Sequence, residues 1–405
     1  MDGDETNKPF LEEGGGGETA TRVSTTRRVQ VKRKNTVVLA AAFIAIVVVV
    51  ASATIGIVLG TSSAPLLPSN ASHLPFQVSR TPFGLRPSRC VQSVPSGTVI
   101  KTVADGVLHM YPGNSDWVHY SNCSTLLGIE SDAALEKMLA SVNVAPTRSS
   151  VHSVRPGTLG HRGNLEGARG KGRQLHTTSL SVTHAYSGYE AYPTGSATRF
   201  DATYTVPATP QKTSGQVLYY WIGLENTAGS ENVVIQPVLA YGGNGGESGW
   251  SFASWNCCPA GYTHMAEAIS GLNPGDVGQG TMAGTNDGKY TITSSFGGSS
   301  SVLVADDSLV FDLLVATIEV YDIASCSQLS SSPMTLSNME AHDGSTVISP
   351  YWQPLHEGSS FLEPCGGTMS VSGSTFSITP TAAAPSGGDD ESEGATADDD
   401  GYYLN

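Results

Sequence analysis

Glu319 stands in the run FDLLVATIEVYDI, residues 311–323, among Leu, Val, Ala and Ile side chains. A carboxylate in such company must be paired, turned to the strand's other face, or kept with a raised pKa. Gln236 has a comparable place in VVIQPVLAYG, residues 233–242, where Pro237 follows it. Proline removes a ladder donor, which predicts an edge strand or a bulge at that point. The usual nucleophile and metal signatures are missing from the sequence: it has no G-x-S-x-G elbow, no H-E-x-x-H helix and no phosphate-binding G-x-x-x-x-G-K. No metal site and no cofactor is expected.

Six cysteines add a second chemistry. An even count in an oxidising compartment favours disulfides, and spacing suggests Cys90 with Cys123 and Cys326 with Cys365. Cys257 and Cys258 are adjacent. Neighbours in an extended strand point to opposite faces, so a bond between them needs a special local geometry, while a metal reading lacks any CxxC or HxxxH partner. Asn70-Ala-Ser and Asn122-Cys-Ser are glycosylation sequons.

The elements that must position these residues follow one another along the chain. Residues 1–35, with GGGG at 14–17, read as a disordered cytoplasmic tail. Residues 36–60 carry no charge and are long enough to cross a bilayer as a helix. Arg27, Arg28, Lys32, Arg33 and Lys34 precede this span, and the next basic residue is Arg80. The positive-inside rule then gives a retained signal anchor with a cytosolic N-terminus, and everything beyond residue 60 outside the cell or in a lumen. A cleaved signal peptide is the alternative, but the preceding region is too long for one.

Residues 61–75 form a Ser/Pro stalk, and 76–145 a small module with one helix over Ser131–Val142. Residues 146–178 hold Arg148, Arg155, Arg162, Arg169, Lys171 and Arg173 among glycines and read as a basic linker, either a processing site or a solvated tether. From 179 to 380 the pattern is all β. Strands are expected at 198–206, 216–224, 232–241, 249–256, 261–269, 289–296, 311–321 and 368–378, which predicts an antiparallel β-sandwich. Residues 381–405 are an acidic, disordered tail.

The net charge of −15 is concentrated in the C-terminal half. Residues 179–405 have three basic side chains, Arg199, Lys212 and Lys289, against twenty-four acidic ones. Such a surface cannot neutralise a phosphate backbone, so nucleic acid is excluded as a partner. Once its carboxylates are protonated it keeps little charge to repel itself, which permits an acidic workplace.

Within the β region the strands resemble those of the fungal glutamic peptidases, the eqolisins. YWIGLEN (220–226) is similar to that family's W-x-G-I-D strand, IQPVLAYG (235–242) to its L-Q-T-G-V-D strand, and VATIEVYD (315–322) to the strand bearing its catalytic glutamate. Gly275-Asp276 is similar to its G-D turn, and the resemblance extends over about residues 195–345. Pro237 stands where the family has threonine, and Leu224-Glu225 where it has Ile-Asp. The resemblance implies a concanavalin-like sandwich of two bent sheets acting as an acid endopeptidase on polypeptides. It implies Glu319 as the general base and Gln236 as the oxyanion donor, with Trp221 lining the cleft. Two other readings stay open: a glycan-binding module that stacks sugars on Trp221, Trp250 or Trp255, and an inactive structural or adhesion ectodomain.

In intact vesicles, protease added from the cytosolic side should spare everything beyond residue 60. Digestion of the β region from that side would overturn the orientation.

Overall fold

The computed structural model describes residues 73–143, 180–193, 195–227, 233–243, 249–358 and 361–380. The expected span 36–60, the linker 146–178, the tail 381–405 and Asn70 lie outside the described residues. Among the described residues no helix is long and apolar enough to cross a membrane.

The first described part comprises strands β1 (Val78–Thr81), β2 (Gly84–Pro87), β3 (Val91–Val94), β4 (Thr98–Val103), β5 (Gly106–Met110) and β6 (Trp117–Ser121), then helices α1 (Cys123–Leu127) and α2 (Asp132–Ala140). Ser131 caps α2, its hydroxyl accepting from the Ala134 N–H, as its residue type predicts. β1 and β2 form a separate hairpin across the two-residue turn Pro82–Phe83.

The second part opens with β7 (Val182–Ala191), β8 (Arg199–Thr205), β9 (Val217–Asn226), β10 (Val233–Tyr241), β11 (Trp250–Cys257), β12 (Thr263–Ala266) and β13 (Ile269–Leu272). It continues through β14 (Val277–Gly284), β15 (Tyr290–Phe296), β16 (Ser299–Ala305), β17 (Leu313–Ile323) and β18 (Met334–Asp343). The last strands are β19 (Thr346–Ile348), β20 (Gln353–Gly358), β21 (Thr368–Ser372) and β22 (Thr375–Thr379).

Two sheets stack on each other as a sandwich. The first runs β20-β7-β17-β9-β10-β11-β12-β3, and the second β21-β22-β18-β8-β14-β15-β16-β4-β5-β6. Pairing is antiparallel except at two joints, β3 with β12 and β4 with β16, where the N-terminal segment extends each sheet by parallel addition. Leu218, Tyr220, Ile222, Leu224, Ile318 and Val320 from the first sheet pack with Phe200, Ala202, Met282, Ile292 and Leu303 from the second. Burying these side chains supplies the main drive for folding, roughly 1.5–3 kcal/mol for each large one.

The outer face of the first sheet is buried as well. Val217, Tyr219, Trp221, Val234, Val238, Trp255 and Val315 form a second apolar layer with Val78 and Leu85 of the hairpin. Strands β9, β10, β11 and β17 are thus covered on both faces, which is why their sequences are continuous apolar runs rather than alternations.

Pro237 is neither at an edge nor at a bulge. β10 is a central strand with β9 and β11 on its two sides. The Tyr204 hydroxyl takes over where the ladder is interrupted: it donates to the Pro237 carbonyl at 2.8 Å and accepts from the Ile222 N–H at 3.0 Å. Burial pushes this hydroxyl's pKa up, so it stays protonated and able to donate. Tyr204→Phe leaves two buried backbone groups unpaired and should cost about 2–6 kcal/mol, at 1–3 kcal/mol per orphaned group. Denaturant unfolding checks this, and a loss below about 0.5 kcal/mol would show the hydroxyl to be dispensable.

Candidate active site

The outer face of the first sheet carries every polar side chain of the candidate site. Successive residues of a strand alternate faces, and directly paired residues share one. Glu319 of β17 therefore shares a face with Tyr219 of β9 and Tyr186 of β7, with which it is in register. Tyr321 is opposite His184, Trp221 opposite Thr317, and Gln236 opposite Trp255. The sequence-predicted Gln236, Glu319, Trp221 and Trp255 all lie on this one face.

Glu319 has no solvent exposure. Its Oε1 accepts from three donors: His184 Nε2 at 2.8 Å, the Tyr321 hydroxyl at 2.6 Å and the Gly84 backbone N–H at 3.1 Å. Charge-assisted hydrogen bonds of this kind replace the hydration that burial removes. Oε2 makes no hydrogen bond among the described residues. The His184 ring is stacked on Tyr321 at 4.3 Å between centroids and meets Tyr186 edge-on, which fixes the orientation of Nε2 toward the carboxylate. Burial raises the Tyr219 and Tyr321 hydroxyls above the usual tyrosine range, and the neighbouring Glu319 adds to the rise. Both remain protonated donors.

The Gln236 side chain is fully buried and donates through Nε2 to the Pro82 carbonyl at 2.8 Å. Trp221 and Trp255 are buried beside it, and Phe83 of the hairpin turn packs on the same apolar layer. The hairpin therefore lies directly over the pair. Tyr219 donates to the Arg80 carbonyl at 3.0 Å, and the single proton of the Tyr321 hydroxyl is shared between Glu319 and the Thr81 carbonyl 2.8 Å away. Arg80 also forms an ion pair with Asp322. Four consecutive peptide units, from Arg80 through the turn to Gly84, are thus read by polar groups of the sheet.

The hairpin is fixed from its other side too. Asn143 accepts from the Leu85 N–H at 2.6 Å and donates to the Leu85 carbonyl at 3.2 Å, while Arg86 pairs with Glu136 of α2 at 2.6 Å. Gly84 has φ +86°, and a Cβ there would meet Asn143 Oδ1 at 2.9 Å.

Cys90 bonds to Cys123, Cys326 to Cys365, and Cys257 to its neighbour Cys258. No cluster of metal-ligating side chains occurs among the described residues. The Asn122 side chain, at the N-cap of α1, donates to Asp132 at 2.8 Å.

His184, Tyr219, Tyr321 and Asp322 are site residues that the sequence reading missed. One signal was available: Tyr321 lies two positions after Glu319 and so on its face.

The chain matches no family model and no curated protein. Among solved structures it is similar to Scytalido-glutamic peptidase with a peptide-based transition-state analogue, at 15% identity and TM-score 0.35 over 50% of this chain and 99% of that one. The same peptidase with a transition-state analogue inhibitor gives 16% identity and TM-score 0.35 over the same shares. SCP-B, a member of the eqolisin family in a complex with the tripeptide Ala-Ile-His, gives 15% and 0.34, again over 50% and 99%. These are the glutamic peptidases that the strand motifs resemble.

Gly84→Ala should loosen the hairpin, since it adds a Cβ in a left-handed conformation and against Asn143, a strain of about 1–2 kcal/mol or more. Amide exchange over residues 78–87 should speed up while the sandwich strands keep their protection. Unchanged exchange in the hairpin would overturn this reading of the turn.

Proposed function

We propose that this protein is a glutamic-type acid endopeptidase whose site is capped by its own β1–β2 hairpin. One observation carries the reading: the Gln236 amide and the Glu319 carboxylate, on one sheet face, hold a carbonyl and an N–H of polypeptide backbone at the hairpin turn. Peptide backbone is what this pair is built to bind.

In the proposed reaction Glu319 takes a proton from water, and the resulting hydroxide adds to the carbonyl carbon of the scissile peptide. Gln236 Nε2 donates to the oxyanion that forms. Glu319 then gives the proton to the leaving nitrogen, so the elements of water are divided between the two products. His184 and Tyr321 hold Oε1, which leaves Oε2 to face the water. The sandwich in this reading is concanavalin-like.

The three disulfides support an oxidising compartment, and with it the exoplasmic placement behind a membrane anchor at 36–60. The basic segment 146–178 separates the hairpin module from the strands bearing the pair, which suits it to be a processing site. Trp221, Trp250 and Trp255 are all buried, so they offer no open platform for a sugar ring, and no observation favours the glycan-binding reading.

The full chain should hydrolyse unfolded protein at acidic pH once the hairpin is displaced, as in Gly84→Ala. In that background Glu319→Gln should lower the rate by about 10²–10⁴-fold and Gln236→Ala by about 10²–10³-fold. A chain with a demonstrably open hairpin that cleaves nothing would end the peptidase reading.

A further inference from the structure

The hairpin occupies the site as a peptide would, yet out of frame. The carbonyl held by Gln236 belongs to the Pro82–Phe83 bond, whereas the N–H held by Glu319 belongs to the Phe83–Gly84 bond. Hydrolysis needs the attacked carbonyl and the protonated nitrogen in one and the same bond. The hairpin therefore displays how the cleft grips a chain without being a substrate in this register.

Beyond the backbone contacts, one side-chain grip stands out. Arg80, two residues before Pro82, is ion-paired with Asp322 at the end of β17. The side chains are 10% and 22% exposed, so the pair is largely withdrawn from water. Asp322 is a non-glycine residue at φ +56°, a conformation costing roughly 1–3 kcal/mol that persists where its surroundings enforce it. Pairing with β7 passes over it, from Tyr321 opposite His184 to Ile323 opposite Val182. This break in the alternation places the carboxylate beside the hairpin. Burial pushes the Asp322 pKa up, and Arg80 opposes that shift. From residue 179 onward the chain has three cations, Arg199, Lys212 and Lys289, against its many carboxylates. The cation that meets Asp322 comes from outside that region.

We infer that Asp322 is a specificity-determining residue, which selects polypeptides carrying Arg or Lys two residues before the one whose carbonyl Gln236 holds. The inference rests on the peptidase reading and names its substrate class. The hairpin is held by the same grip.

Two measurements on the full chain test it. The first needs no catalysis: amide exchange over residues 78–87 in Arg80→Glu, in Asp322→Lys and in the double variant. Each single change sets like charges together and should speed exchange by about tenfold or more, while the double variant restores the ion pair and the protection. Where Asp322→Lys does not fold, Arg80→Ala, Asp322→Asn and their double variant replace the set: each single should speed exchange and the double should add little to either, while full additivity overturns the grip. Singles that leave exchange unchanged, or a charge-reversed double variant no better protected than its parents, overturn the grip. The second measurement uses the Gly84→Ala chain and two peptides, differing only in Arg or Glu two residues before the residue whose carbonyl is attacked. The Arg peptide should be preferred in kcat/KM by about tenfold or more, and Asp322→Asn should abolish the preference. Cleavage that ignores this residue overturns the specificity. Absence of all cleavage ends the peptidase reading, while the exchange result still decides whether Asp322 grips a cation.

Discussion

The Glu319 carboxylate sits at zero exposure with all its recorded donors on one oxygen, and withdrawing such a group from water costs several kcal/mol unless donors replace its hydration. Those donors come from three places in the chain: His184 on β7, Tyr321 on the same strand, and Gly84 in a hairpin 235 residues away. His184 and Tyr321 belong to the sheet itself, and the hairpin adds the third donor. Much of the surrounding design answers to this need. The aromatic rings beside Glu319 exclude water and aim the imidazole, and the tyrosine hydroxyls are kept protonated by the same burial that makes the carboxylate expensive.

A doubly covered sheet face explains how the hairpin is held. Its apolar residues Val78 and Leu85 close over Tyr219, Trp221 and Trp255, while its backbone carbonyls meet the tyrosine and glutamine donors. The Cys90–Cys123 bond ties the segment after β2 to α1. Cutting the chain at 146–178 would therefore leave the hairpin in place, attached through strand pairing and packing rather than through the main chain.

The strands that carry the site were legible in the sequence because burial on both faces makes them continuous apolar runs. β9, β10 and β17 fall within a few residues of their expected bounds, and the polar residues inside them marked Gln236 and Glu319. The helix after Ser131 was legible from its cap. Among the strands that went unrecognised, β7, β14, β16 and β18 are rich in glycine, serine or polar residues. Their small residues are demanded by close approach: a Cβ at Gly188 would lie 2.3 Å from the Ala316 carbonyl oxygen, and one at Gly280 would lie 2.6 Å from the Tyr204 ring. Such contacts erase the alternation by which a strand is recognised, and with β7 the sequence reading lost His184. The Pro237 position misled for a related reason, since the Tyr204 hydroxyl that repairs the ladder is contributed by a strand of the opposite sheet.

The two parallel joints have a further consequence. Val91 pairs with Thr263 in one sheet and Thr98 with Leu303 in the other, so a short stretch of early sequence covers one border of each sheet's C-terminal part. An unpaired border strand is a ready template for any other extended chain. A protein shortened to its C-terminal half would present two such borders at once, along β12 and β16. Self-association, rather than a liberated monomer, is the state that geometry favours. The N-terminal segment thus covers the β12 and β16 borders of the sandwich.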